Sequence, residues 1–133
     1  MALLWSVLAA ASANAQQVLD DSVGKVGEAN AKTAMAAVMS KLKDPMSAQF
    51  MSFRHPDPMY AQYPQNVVCG LVNAKNGFGG YGGFSPFAYQ VLTKSTIILT
   101  PEILSSVAGN LSILAFRSTS CASALGVELP VDQ

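Results

Sequence analysis

Cys69, Cys121 and His55 carry the most reactive side chains of this sequence, and they are its only cysteines and its only histidine. A thiolate beside an imidazole makes a nucleophile, so Cys69 with His55 would suit a small hydrolase or thiol enzyme. The competing reading joins Cys69 to Cys121 in a disulfide, which spends the thiol and leaves His55 as a solvent-exposed loop residue between Arg54 and Pro56. One His and two Cys cannot close a four-ligand zinc site without a carboxylate, and no pair of them has ligand spacing. No Ser sits in a G-x-S-x-G elbow. Asp20 and Asp21 are explained as helix-capping acids, and no carboxylate pair argues for glycosidase chemistry. The expectation is no catalytic residue, no metal and no cofactor.

The segment from Gly77 to Gly82 (Gly-Phe-Gly-Gly-Tyr-Gly) formally matches the dinucleotide pattern G-x-G-x-x-G. That pattern works where the glycines open a helix whose N-terminus faces a pyrophosphate. Here a proline and a strand-like segment follow, and no acidic residue stands about 20 positions on to take a ribose. The segment reads instead as a curved hairpin tip carrying Phe78, Tyr81 and Phe84. Turned outward, these rings would make a partner site. Folded inward, they would cap the core, and this is the preferred expectation.

The elements that must position these residues follow from periodicity. Asp20, Asp21 and Ser22 can start a helix. Ala31, Met35, Val38 and Leu42 then recur on one helical face. The glycines at 24 and 27 weaken its start, so the helix is trusted from Glu28. Lys41 and Lys43 suit its last turn, and Asp44-Pro45 ends it. Residues 50–54 form a short strand, and Pro56, Pro58 and Pro64 then enforce a loop. The strongest strand candidate spans 67–75, with Asn76-Gly77 as the turn. Strands follow over about 86–93 and 96–99. Thr100-Pro101-Glu102 starts a second helix. Leu104, Val107, Leu111, Leu114 and Leu125 fall near one face of it, with Gly109-Asn110 as a break or kink. The expected fold is α+β: a small antiparallel sheet of three to four short strands, with an N-terminal and a C-terminal helix covering one face.

The chain has 133 residues, half of them apolar, and eight basic against eight acidic side chains. Such a composition suits one globular domain and disfavours disorder. Neutrality gives little long-range attraction to nucleic acid or anionic lipid. Residues 1–15 differ from the rest. They hold about ten apolar residues and end on Ala13-Asn14-Ala15, the small-x-small pattern of a cleaved signal peptide. A bilayer-spanning helix needs roughly 20 apolar residues, so no stable membrane insertion is expected after cleavage. No Lys or Arg precedes the apolar run, which suggests a start further upstream or a truncation. The expected organisation is a signal peptide over 1–15 and a single domain over 16–133, in the periplasm or secreted. In that oxidising setting the Cys69–Cys121 disulfide is the preferred reading. Asn110-Leu111-Ser112 is a glycosylation sequon, relevant where the host glycosylates exported chains.

Three stretches carry a resemblance: Leu42 to Phe50 (LKDPMSAQF), Val68 to Asn76 (VCGLVNAKN) and Gly79 to Phe87 (GGYGGFSPF). They resemble a recurring, uncharacterised family of small exported proteobacterial proteins with the patterns LKDPxSAxF, VCGxVNAKN and GGYxGFxPF and a further Cys near the end. The match spans 42 to 87, about a third of the chain. It implies bacterial export, is consistent with the Cys69–Cys121 bridge, and supplies no catalytic residue. It also implies that Asp44-Pro45, Ser47, Phe50, Asn73, Lys75, Asn76 and Tyr81 form one linked unit. Physically, Asp44 and Ser47 would organise the turn after the helix. Asn73, Lys75 and Asn76 would stand beside Tyr81, as turn scaffolding by preference or as a recognition patch.

The function expected from these readings is an exported, non-catalytic binding or accessory protein of the bacterial envelope. Its candidate contact residues are Asn73, Lys75, Asn76, Phe78, Tyr81 and Phe84, and its partner a protein or another envelope component, not nucleic acid. The alternatives are a Cys69/His55 envelope enzyme and a structural component of a secretion or surface assembly.

Overall fold

The computed structural model describes residues 17–130, so the expected signal peptide lies outside the described residues. Four strands form one antiparallel sheet in the order of the chain: β1 (Gln49–Arg54), β2 (Val67–Asn73), β3 (Ser85–Gln90) and β4 (Ser95–Ile98). Ahead of them come a 3₁₀ turn (Ser22–Lys25) and helix α1 (Glu28–Met39). After them come three short helices, α2 (Pro101–Leu104), α3 (Gly109–Ser118) and α4 (Cys121–Leu125). The expected α+β class and the order of elements hold, and α1 begins at Glu28 as expected.

The layering differs from expectation: the helices cover opposite faces of the sheet. Side chains alternate along a strand, so neighbours point to opposite sides. Val68, Val72, Phe87, Tyr89 and Ile98 pack with Ala31, Ala34, Met35 and Val38 of α1. Their neighbours Cys69, Ala88 and Leu99 pack with Phe116 of α3 and Cys121 of α4. β3 buries Phe87, Ala88 and Tyr89 in succession, as a strand covered on both faces should.

Both helices also end differently from the sequence expectation. α1 stops at Met39, and Lys41 and Leu42 close back on Val38 and Met39 through i→i−3 bonds. Lys41 and Lys43 therefore stand beyond the helix rather than in its last turn. At the other end of the chain, Thr100 caps α2 by accepting the Ile103 N–H at 3.2 Å. The chain then breaks over 105–108, and a Cβ on Gly109 would lie 2.8 Å from the Leu104 carbonyl oxygen. That break resets the helical phase. Ile113 and Phe116 turn inward, while Leu104, Val107, Leu111 and Leu114 are exposed. Of the stripe expected to be buried, these four positions are the outer side, and Leu125 alone packs inward.

The expected capping by Asp20 and Asp21 is not what the acids do: Asp21 leads the 3₁₀ turn without a side-chain capping bond, and Asp20 braces β1 instead. β1 carries an extra residue between Met51 and Arg54, and Ser52 sits there at φ 62°. A bulge leaves strand N–H groups without ladder partners. Ser52 N donates to Asp20 Oδ2 at 2.8 Å, and Phe53 N donates to Ser22 Oγ, also at 2.8 Å. Ser22 in turn donates its hydroxyl to Asp20 Oδ1 at 2.7 Å. Partial burial pushes the Asp20 carboxyl up, but the hydrogen bonds from Ser22 and Ser52 and the Lys25 charge outweigh it. The net position is below the ordinary carboxylate value. A carboxyl depressed in the folded state stabilises the fold above its unfolded value, about 3.9, and that contribution is lost as pH falls through the lower folded value. Asp20→Asn should therefore remove a pH-dependent part of stability that wild type loses only below about pH 4. Urea midpoints at pH 7 and pH 3 check this: the gap between wild type and variant should narrow at the lower pH.

Candidate functional site

Of the motif residues, Phe50 lies apart, fully buried in the core. Ser47, Asn73, Lys75, Asn76 and Tyr81 come together as the frame of an ordered loop over 74–84, and Asp44 joins through its backbone carbonyl. Ser47 sits at its base, donating its hydroxyl to the Asp44 carbonyl at 2.7 Å and accepting the Lys75 N–H at 2.8 Å. Tyr81 donates its hydroxyl to the Ser47 carbonyl at 3.0 Å. Lys75 and Tyr81 form an isolated antiparallel bridge, and the Lys75 ammonium lies 5.9 Å from the Tyr81 ring centre. Asn76 Oδ1 accepts the N–H groups of Phe78 and Gly80, at 2.9 and 3.2 Å. Asn73 Oδ1 accepts from Gly83 N at 3.2 Å. Turn scaffolding is thus the role of Asn73 and Asn76, and Ser47 ties the loop to the 3₁₀ turn Pro45–Ser47 that follows α1. The left-handed position of the turn is Gly79, at φ +85°, rather than Asn76 or Gly77.

The aromatic rings face water rather than the core, against the preferred expectation. Phe78 is 100% exposed, Tyr81 45% and Phe84 40%. The cause is the loop's length: the last β2–β3 pair is Val72–Ser85, so the rings ride beyond the sheet. The six candidate contact residues therefore divide. Asn73, Asn76 and Tyr81 build the loop, Lys75 and Phe84 flank it, and Phe78 is its outermost group.

Beside the loop a cavity of about 500 Å³ opens between the residues after α1, the ends of β2 and β4, and helices α2 and α3. Leu42, Val72, Ala74, Ile98, Ile103 and Leu111 form its aliphatic wall, and Lys41, Lys43, Lys75 and Glu102 are the charged residues around it. Sequence reading did not find this site: its lining comes from five separated segments, and although three of them belong to the quoted motifs, nothing in those motifs signals a cavity. A shallower hollow of about 400 Å³ lies at the other end of the sheet, near Tyr60 and Tyr63.

The reactive residues are otherwise engaged. Cys69 and Cys121 form the expected disulfide, with their Cα atoms 5.4 Å apart. His55 is half-buried, with Nδ1 2.8 Å from the Val67 carbonyl oxygen. Among the described residues, no three His, Cys, Asp or Glu side chains are grouped to hold a metal ion. No described helix is long and apolar enough to cross a membrane.

Compared with protein-family models, curated proteins and solved structures, the chain matches none.

Proposed function

We propose that this chain is an exported, non-catalytic binding protein of the bacterial envelope that contacts a protein partner through the loop over 74–84. The observation that carries this reading is Phe78, a wholly exposed phenyl ring on a loop whose backbone is held by side-chain hydrogen bonds. A ring displayed on a pre-ordered loop costs little entropy to bury against a partner, which is how aromatic residues come to dominate interfaces. The Cys69–Cys121 bridge supports an oxidising compartment and occupies the thiol that the enzymatic alternative requires. The resemblance to small exported proteobacterial proteins points the same way.

Phe78→Ser is the clean probe, because the ring is fully exposed and its loss should change stability by less than about 0.5 kcal/mol. Tyr81→Ser would instead cut the hydrogen bond to Ser47 and loosen the loop. Crosslinked capture from envelope extracts should enrich a partner with wild type and lose at least ten-fold of it with Phe78→Ser. Equal capture by the two proteins would remove the loop as the contact surface.

A further inference from the structure

The cavity beside the loop is a separate matter from the loop's protein partner. We propose that it is a binding site for a single-chain anionic amphiphile, an aliphatic carboxylate of the fatty-acid class, with its head among Lys41, Lys43 and Lys75. At about 500 Å³ the space falls within the range of roughly 300–1,000 Å³ that holds small-molecule ligands.

Its chemistry narrows the class. The lining contains no Phe, Tyr, Trp or His, so nothing there offers a flat face for a nucleobase to stack on. The walls are aliphatic, and Leu111, 71% exposed on α3, is open to the space. An aliphatic chain laid against Leu111, Ile103 and Leu42 removes apolar surface from water that the fold itself leaves at least partly wet. Among the lining residues three cations stand against one anion, Glu102, although the chain as a whole is neutral. Lys43 crosses from the end of the first helical segment to the loop. Its Cδ and Nζ lie 3.8 and 3.9 Å from where a Cβ on Gly77 would stand. Lys75 is held over the Tyr81 ring on the same loop. An apolar slot with a cationic mouth is complementary to a carboxylate on an alkyl chain, with the charge left near water and the chain inside.

The outer edge of β4 also borders the space, so an extended peptide adding to the sheet is the rival occupant. A second copy of the chain is another. The aliphatic walls and the cationic rim favour the amphiphile over both.

Titration calorimetry on the purified, disulfide-bonded protein tests this with dodecanoate and with dodecyltrimethylammonium, both below their aggregation concentrations. Dodecanoate should bind saturably at one per chain, at least ten-fold tighter than the cation of equal chain length. Lys41→Gln with Lys43→Gln should weaken dodecanoate at least ten-fold and erase that preference. Leu111→Asp, on an exposed position, should weaken it at least ten-fold with an unchanged circular dichroism spectrum. Phe78→Ser should leave it unaltered, which separates this site from the loop's contact. The proposal is overturned by absent or non-saturating binding, or by equal binding of the two detergents. It is equally overturned if both the lysine and the leucine variants bind as wild type. Sedimentation showing that the protein dimerises, or a β4-matched peptide that binds, while dodecanoate does not, would also overturn it.

Discussion

Replacing both cysteines, Cys69→Ala with Cys121→Ala, should lower stability by about 4 kcal/mol. The bridged residues are 52 apart in sequence, and in the chain-entropy model closing a loop of that length constrains the unfolded chain by about this much. For a domain of this size the melting temperature should fall by roughly 15 °C. The loss should be uneven, because of what the bridge holds. α4 has only five residues, and its leading residue, Ser120, is left-handed and makes no capping bond. Such a helix has no stability of its own. It is fastened to β2 by the disulfide, and to β1 by Arg54 Nη1, which donates to the Ala124 carbonyl at 2.6 Å. Amide exchange in the double variant should therefore accelerate first over 109–127, while the α1 face of the sheet keeps more of its protection. A melting shift of only a degree or two would mean that Phe116 and its neighbours hold this layer without the bridge.

The layer that holds the bridge is also the half of the fold that was only partly legible in the sequence. α1 could be read because Ala31, Met35 and Val38 repeat on one face, and because the glycines at 24 and 27 weaken the stretch before Glu28. β2 and the strands after it could be read from their β-branched and aromatic runs. The last third could not, because Leu104, Val107, Leu111 and Leu114 also repeat at helical spacing, yet the opposite side is the buried one. Periodicity identifies a stripe but not the layer it faces. That choice is made in tertiary packing, where Phe116 is buried in one cluster with the bridged Cys69 and Cys121. The candidate site divides along the same line. Asn73, Lys75, Asn76 and Tyr81 are close in sequence, and their grouping could be seen. Whether Phe78 faced water depended on where strand pairing stopped. The cavity depended on α3 being displaced from α1 to the other side of the sheet, which no local pattern records.

Gly70→Ala should destabilise the fold by about 1–3 kcal/mol, the usual cost of forcing added volume into a packed core. Gly70 pairs with Phe87 across β2 and β3, and a Cβ on Gly70 would lie 2.4 Å from Phe87 Cζ and 2.6 Å from Cε2. The ring has nowhere to retreat. It is fully buried, with the Phe50 and Phe53 rings edge-on to it at 5.9 and 6.0 Å between centres. A glycine inside a strand marks such a close approach, and it explains why this residue follows Cys69. The cysteine bridges to one helical layer, and the glycine makes room for the ring that seals the other. Phe87→Leu alone should cost stability through lost volume. In the Gly70→Ala background it should cost much less, because the smaller side chain gives up the overlapping atoms. Urea unfolding of the two singles and the double should then show a double variant more stable than the sum of the singles predicts, with a coupling of about 1 kcal/mol or more. Simple additivity would mean that the strands slide apart rather than the ring yielding. That outcome has a functional signature, because β2 and β3 are the two rails that carry the loop over 74–84. Strands that part at Gly70 and Phe87 would shift Asn73 away from Gly83, and Gly70→Ala would then weaken partner capture without altering any residue of the loop.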